Sequence, residues 1–277
     1  MLTLRTLHFE YDMQLVYSDP IQRCHFTIKC MPCSTKRQRV EKICIEVEPH
    51  ESMEQGEDSF GNRLLFGNVQ TAHDRFHFHI SGTVQTGLAD ADPVDHENML
   101  SVFAYPYGLT VPGREIQAYY ERLDADEPAK DSSDFERAVF LMHSVYRDFS
   151  YEKGVTGVNT GAEEAWQLGK GVCQDYAHIL IALCRLSGIK ARYVTGMLIG
   201  EGYSHAWVEV LSGGLWYALD PTNDCIVTDS HIKIGVGRDA SDCMINRGIM
   251  MGNASQEQKI YVAVTEASQA AHLLQRY

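Results

Sequence analysis

The chain has 277 residues, 44% hydrophobic and 22% charged, which are globular values that leave room for a sizeable core and exclude a disordered or fibrous protein. The formal net charge of −13 argues against a broad phosphate-binding surface, so nucleic acid is excluded as the main partner and anionic membrane surfaces are disfavoured. Eight cysteines at uneven spacings predict free thiols in a reducing compartment rather than a disulfide framework.

The opening run, MLTLRTLHFEYDMQLVYSD, meets acidic residues before any apolar stretch reaches signal length, and nothing later approaches about 20 apolar residues. The expected setting is therefore soluble and cytoplasmic. Over the first 120 or so residues, LHFEY, CHFTIKC, KICIEVEP, RFHFHISGTV and SVFAYPYG read as strands separated by Gly, Pro, Asp and Asn, which predicts a β-sandwich-like domain. Residues 122–132, RLDADEPAKDS, lose nearly all apolar content and read as a linker, giving an N-terminal β domain over 1–122 and a second domain over 123–277.

Helical spacing then takes over. Ser133 and Glu136 form a capping box ahead of Phe135, Val139, Met142, Val145 or Tyr146, and Phe149, and Thr160 with Glu163 suggests a second box before a short helix over 162–168. A longer helix follows Gly169–Gly171, carries Ala177, Leu180, Ile181 and Cys184 on its apolar stripe, and ends at Gly188. ARYVTGML, SHAWVEVL and LWYALD are strands, the last two joined as a hairpin through Ser212, Gly213 and Gly214. Residues 221–252 read as loop-rich, with KIYVAVTE as a last strand.

Cys173 falls in the first turn of the longer helix, where unpaired N–H groups and the helix dipole favour an anion, and a thiolate is the nucleophilic form of cysteine. The glycines at 169 and 171 would give a substrate close approach to the sulfur. His205 begins one hairpin strand and Asp220 ends the other, so the two come within about one residue of direct opposition. That is a nucleophile, a base and an orienting acid. Singly, each residue has a plainer explanation: a small buried hydrophobe, a hydrogen-bonded histidine, a turn-forming aspartate. The three in this order carry more weight than any one.

GVCQDYAHILIALCRLSGIKARYVTG, SHAWVEVL and WYALDPTND resemble the three core motifs of the transglutaminase-like superfamily. The resemblance implies an α+β protein with a papain-like catalytic arrangement in which Cys173 is nucleophile, His205 base and Asp220 orienting acid. Tyr11, the DSFGN run at 58–62 and HIKIGVGRDASD at 231–242 extend the likeness to bacterial transglutaminase-like proteins, with one departure at MINRG, 244–248, where a proline is expected. It further implies acyl transfer through a thioester on a peptide or protein substrate. Hydrolysis by a cysteine peptidase or amidase is the leading reading. Protein-glutamine transamidation and a non-catalytic peptide-binding module are the alternatives. This chemistry requires no cofactor.

Three further patterns stand out in the sequence. Cys30 and Cys33 form a C-x-x-C with Cys24 and Cys44 nearby, a four-thiolate zinc arrangement in principle, although a zinc ribbon would bring a second C-x-x-C. His73, His77 and His79 fall in one strand, where a solvated sheet face is the plainer account of them than a metal site. Gly169-Lys170-Gly171 lacks the Ser or Thr of a phosphate loop.

Overall fold

In a computed structural model, which describes residues 2–94, 97–126 and 132–267, strands predominate and the α-helices gather in the middle of the chain. In chain order the elements are β1 (Arg5–Ile28), β2 (Gln38–Glu48), β3 (Ser52–Glu57), β4 (Arg63–Val69), β5 (His73–Thr86), β6 (Ala91–Pro93), α1 (Arg114–Asp126), α2 (Asp134–Asp148), β7 (Ser150–Tyr151), α3 (Ala162–Leu168) and β8 (Lys170–Gly171). They continue with α4 (Cys173–Leu186), β9 (Ala191–Leu198), β10 (Gly200–Gly202), β11 (His205–Ser212), β12 (Leu215–Asp220), β13 (Cys225–Ile226), β14 (His231–Gly237), β15 (Asn246–Met251) and β16 (Gln256–Glu266).

LHFEY and CHFTIKC belong to one 24-residue strand, β1. Its first half pairs with β5 and β16, its second with β4 and β15, and the register shifts between them. Alternation is strict along the first half: Leu7, Phe9, Tyr11, Met13, Leu15 and Tyr17 all face inward and are buried. They share one core with Phe26, Phe76 and Phe78, and with Met197, Ile232 and Ile234 of the second sheet.

That second sheet runs β13-β12-β11-β9-β14, with β6 added beside β12. Its other face packs against α4, whose side chains from Ala177 to Cys184 are all fully buried, with α1, α2 and α3 gathered around it. A helix buried on every side suits the center of this layer.

Several sequence expectations change here. SVFAYPYG is not a strand, since its first residues lie in a 3-10 helix, Glu97–Phe103. The proposed linker begins inside α1, an amphipathic helix that the acidic and alanine-rich sequence disguised; residues 127–131 of it lie outside the described set. The loop-rich stretch contains β14, buried along its whole length, and MINRG runs into the edge strand β15. Hydrogen bonding also ignores a cut between 122 and 123, because β6 joins the second sheet while β10, β15 and β16 join the first.

The capping box at Ser133 forms, with reciprocal bonds to Glu136. The one expected at Thr160 does not. Gly161 is the N-cap of α3, and Glu163 instead accepts hydrogen bonds from the backbone N–H groups of Gly113, Glu115 and Ile116, closing the start of α1.

Candidate active site

The position of Cys173 is set by local backbone chemistry. Val172 is extended and serves as N-cap without a polar side chain, so the orphan donors at the start of α4 need another acceptor. Asp175 supplies it: its Oδ2 accepts from the Val172 N–H at 2.7 Å and from the Thr156 hydroxyl at 2.7 Å. Burial nevertheless pushes this carboxyl up from its ordinary value, against those hydrogen bonds. Cys173 is thus fixed as the first residue of the helix, half-buried, with its own N–H lacking an intrahelical partner.

The two glycines act differently from the sequence expectation. Gly169 adopts φ +67° as the left-handed C-cap of α3. A Cβ on Gly171 would lie 2.3 Å from the Asp175 carboxylate, so this glycine makes room for the acid that caps α4 rather than for a substrate.

His205 opens β11 opposite Gly196 of β9. Its Nε2 lies 2.7 Å from Asp220 Oδ2, and the same imidazole interacts with the Cys173 thiol. Since Nε2 is engaged by the carboxylate, Nδ1 is the nitrogen left for the sulfur. The hairpin pairs Val208 with Leu219, and continuing the ladder sets Trp207 opposite Asp220. His205 and Asp220 are therefore offset by two residues rather than one. An even offset is required, because only then do both side chains leave the same face of the sheet.

Asp220 is fully buried and saturated with donors. Its Oδ1 accepts from the backbone N–H groups of Thr222 and Asn223, and its Oδ2 from the Asn223 side chain. A third side chain also reaches Oδ2: His231 Nε2, at 3.1 Å. Burial opposes ionisation of Asp220, but the bonds to His205 and His231 overcome it and hold the carboxyl far below its usual range. Burial likewise lowers His205, yet its bonds to Asp220 and Cys173 reverse the sign and raise it to about 10. His231 goes the other way, lowered by burial despite the same carboxylate.

His231 lies in a segment whose family likeness was visible in the sequence, but nothing marked it as a partner of Asp220. Its ring packs edge-on against Trp207 with centroids 5.2 Å apart. The indole passes over Gly196, where any Cβ would meet it at 2.3 Å. Trp207 is consequently a buried buttress and not a groove residue. Trp166 stacks with Tyr119 and Phe149 behind α4. His178, five residues after Cys173, is fully buried and accepts from the Ala240 N–H through Nε2.

His205, Asp220 and His231 are also the one group of donors among the described residues close enough to share a metal ion. The contacts favour proton handling, because both histidines already address the same carboxylate oxygen and a cation there would occupy the nitrogen that orients the base. The four N-terminal thiols do not converge: Cys30 is fully buried in the core while Cys44 faces solvent on β2. His77 and His79 share Asp12, at 2.6 and 3.4 Å, on the partly exposed outer face of the first sheet.

The DSFGN run braces the site from the side. Asn62 exchanges two hydrogen bonds with the Val236 backbone, imitating a strand partner for β14, and Asp58 holds Lys29, whose Nζ also reaches the Asp242 carbonyl.

The chain is similar to known proteins over most of its length. Residues 122–221 match the model of the transglutaminase-like superfamily, and residues 7–85 that of the bacterial transglutaminase-like N-terminal region. An uncharacterised protein of Mycobacterium tuberculosis is 38% identical over 292 residues, covering 90% of this chain and 88% of its own. One from Mycobacterium leprae is 27% identical over 285 residues, with 96% and 99% covered. Among solved structures, a candidate cysteine protease from Cytophaga hutchinsonii is similar in fold, with a TM-score of 0.75 at 22% identity over 96% of this chain and 91% of that one.

Proposed function

Because the chain belongs to the transglutaminase-like superfamily, we propose that it catalyses thiol-dependent acyl transfer at amide bonds, with Cys173 as nucleophile, His205 as general base and acid, and Asp220 as orienting acid. The observation that carries the reading is one imidazole held by a buried carboxylate at 2.7 Å while it interacts with a thiol at a helix start. In the forward step the Cys173 sulfur bonds to the amide carbon, the C–N bond breaks, and the proton on His205 leaves with the amine. The Cys173 N–H is placed to receive the developing oxyanion. Water then attacks the thioester, gives its proton to His205, and the carboxylic acid departs as the sulfur is released.

We take water as the acceptor, which makes the protein a cysteine peptidase or amidase; an amine acceptor would make it a transamidase by the same steps. The N-terminal β region is read as sandwich-like and the working compartment as the cytoplasm. Peptide digestion in H₂¹⁸O with a fluorescent primary amine present tests the choice: ¹⁸O in new carboxyl termini supports hydrolysis, and amine incorporation at glutamine supports transamidation. Cys173→Ala should abolish both while the circular dichroism spectrum is retained. Turnover surviving in that variant would sink the proposal.

A further inference from the structure

A cavity of about 560 Å³ is lined by residues of the first sheet and by Gln174 and Ser204, the chain neighbours of Cys173 and His205. Tyr11, Leu15, Phe26 and Phe76, all buried, contribute apolar surface to it. Tyr193 and Thr195 line it as well, on β9, the strand that pairs with β11 and sets Gly196 opposite His205. The volume is within the range of sites that bury a small ligand, roughly 300–1,000 Å³.

The charge on this wall is informative. In a protein with net charge −13, the described residues that line it include no carboxylate, and Arg247 is the one formal charge among them. A lysine or arginine side chain entering there would give up water without gaining a counter-ion from the described lining and would face Arg247, at a desolvation cost. An aromatic or large aliphatic side chain would exchange water for the apolar surface instead. The amides of Gln174, Asn246, Gln256 and Gln258 can pair with the peptide groups on either side of it.

We propose that this cavity is the acyl-side specificity pocket, taking a bulky, uncharged apolar side chain next to the scissile carbonyl and rejecting basic ones. The proposal rests on the acyl-transfer reading above. The acyl group is the part of the substrate that stays bonded to the Cys173 sulfur, and Gln174, the next residue in the chain, lines the cavity. The N-terminal β region is then part of the substrate site, through Tyr11 and Leu15 of β1 and Phe76 of β5.

The test uses the full chain and three N-acetyl-alanyl chloromethyl ketones that differ only in the terminal residue, Phe, Lys or Asp. Alkylation of Cys173 is followed by intact-mass and peptide mass spectrometry, and each rate is divided by that of iodoacetamide on the same protein. The Phe reagent should react at least tenfold faster than the Lys reagent. Gly248→Leu, whose new Cβ makes only ordinary contact with His25 and Cys24, projects bulk from the cavity wall and should reduce that ratio to within about twofold. Equal rates for Phe and Lys, or a fastest reaction with Asp, overturn the pocket assignment. So does a ratio that Gly248→Leu leaves unchanged while its thermal melt remains cooperative. Failure of the underlying reading has a different signature: iodoacetamide alkylation of Cys173 would be indifferent to His205→Ala.

Discussion

At the scale of single residues, Asp220 organises the site because it accepts from two histidines with opposite titration behaviour. His205 is raised to about 10 from an ordinary 6.5, so its contribution to stability is complete below pH 6.5 and is lost as pH rises toward 10. Asp220 is lowered, so its share is present above about pH 4 and lost as pH falls further. Asp220→Asn keeps the shape and removes the charge that holds the imidazolium; turnover should fall about a hundredfold or more, with less change in KM. His231→Gln keeps a donor toward Asp220 and should lower kcat by less than tenfold, whereas His231→Leu removes the donor and should cost more, as a comparison of the two pH–rate profiles will show. His178 works against stability in acid. Buried near Asp239 and Arg185, it is lowered to about 4, so protonation of the unfolded chain drains stability as pH falls from 6.5 to 4. That amounts to on the order of 3 kcal/mol. Urea titrations at pH 7 and 4.5 should show a smaller acid loss in His178→Gln.

At the scale of elements, the start of α4 depends on a glycine and an acid that fit each other. Gly171→Ala would force its Cβ against the Asp175 carboxylate and weaken the cap on Val172, at a cost of about 1–2 kcal/mol, measurable by urea denaturation. Iodoacetamide alkylation at Cys173 should slow in the same variant, since the first turn positions the sulfur. The sequence made Cys173, His205 and Asp220 legible because each ends or begins an element with clear periodicity: α4 with its apolar run, the hairpin with its Ser-Gly-Gly turn. It concealed the purpose of Gly171, because the clash that explains it lies four residues along and across a helix start. Glu163 was misread for a related reason. Spacing alone assigns it to its own helix, while its three backbone partners, Gly113, Glu115 and Ile116, lie at the start of α1 and just before it, some fifty residues earlier. β14 escaped notice because Lys233 and two glycines interrupt an otherwise strand-like pattern, and a buried lysine is acceptable only with counter-charges that a linear sequence does not display.

At the scale of the whole molecule, those counter-charges join the two sheets. Lys233 Nζ lies 2.8 Å from Asp92 and 2.9 Å from Glu209, all three buried, and Glu209 is also paired with Arg192 at 2.6 Å and faces Arg37 at 4.0 Å. Coulombic attraction from Lys233, Arg192 and Arg37 outweighs the burial penalty and lowers Glu209 to about 2. Arg37 immediately precedes β2 of the first sheet, while Asp92 on β6, Arg192, Glu209 and Lys233 belong to the second. The core containing Phe9 and Phe78 spans the same junction through Met197 and Ile232. Lys233→Met removes a cation from between two buried carboxylates and should destabilise the fold by about 3–5 kcal/mol, because Asp92 then has no charged partner at hydrogen-bond distance. Pairing it with Asp92→Asn should recover part of that loss, which a double-mutant cycle will measure. With the core and the ion network both crossing between the sheets, tryptophan fluorescence, which reports Trp166, Trp207 and Trp216 of the catalytic half, and far-ultraviolet dichroism, which reports all strands, should follow a single coincident urea transition. Two separated transitions would mean that the N-terminal β region folds alone, and that its cavity-lining residues are held beside Cys173 less firmly than a specificity pocket demands.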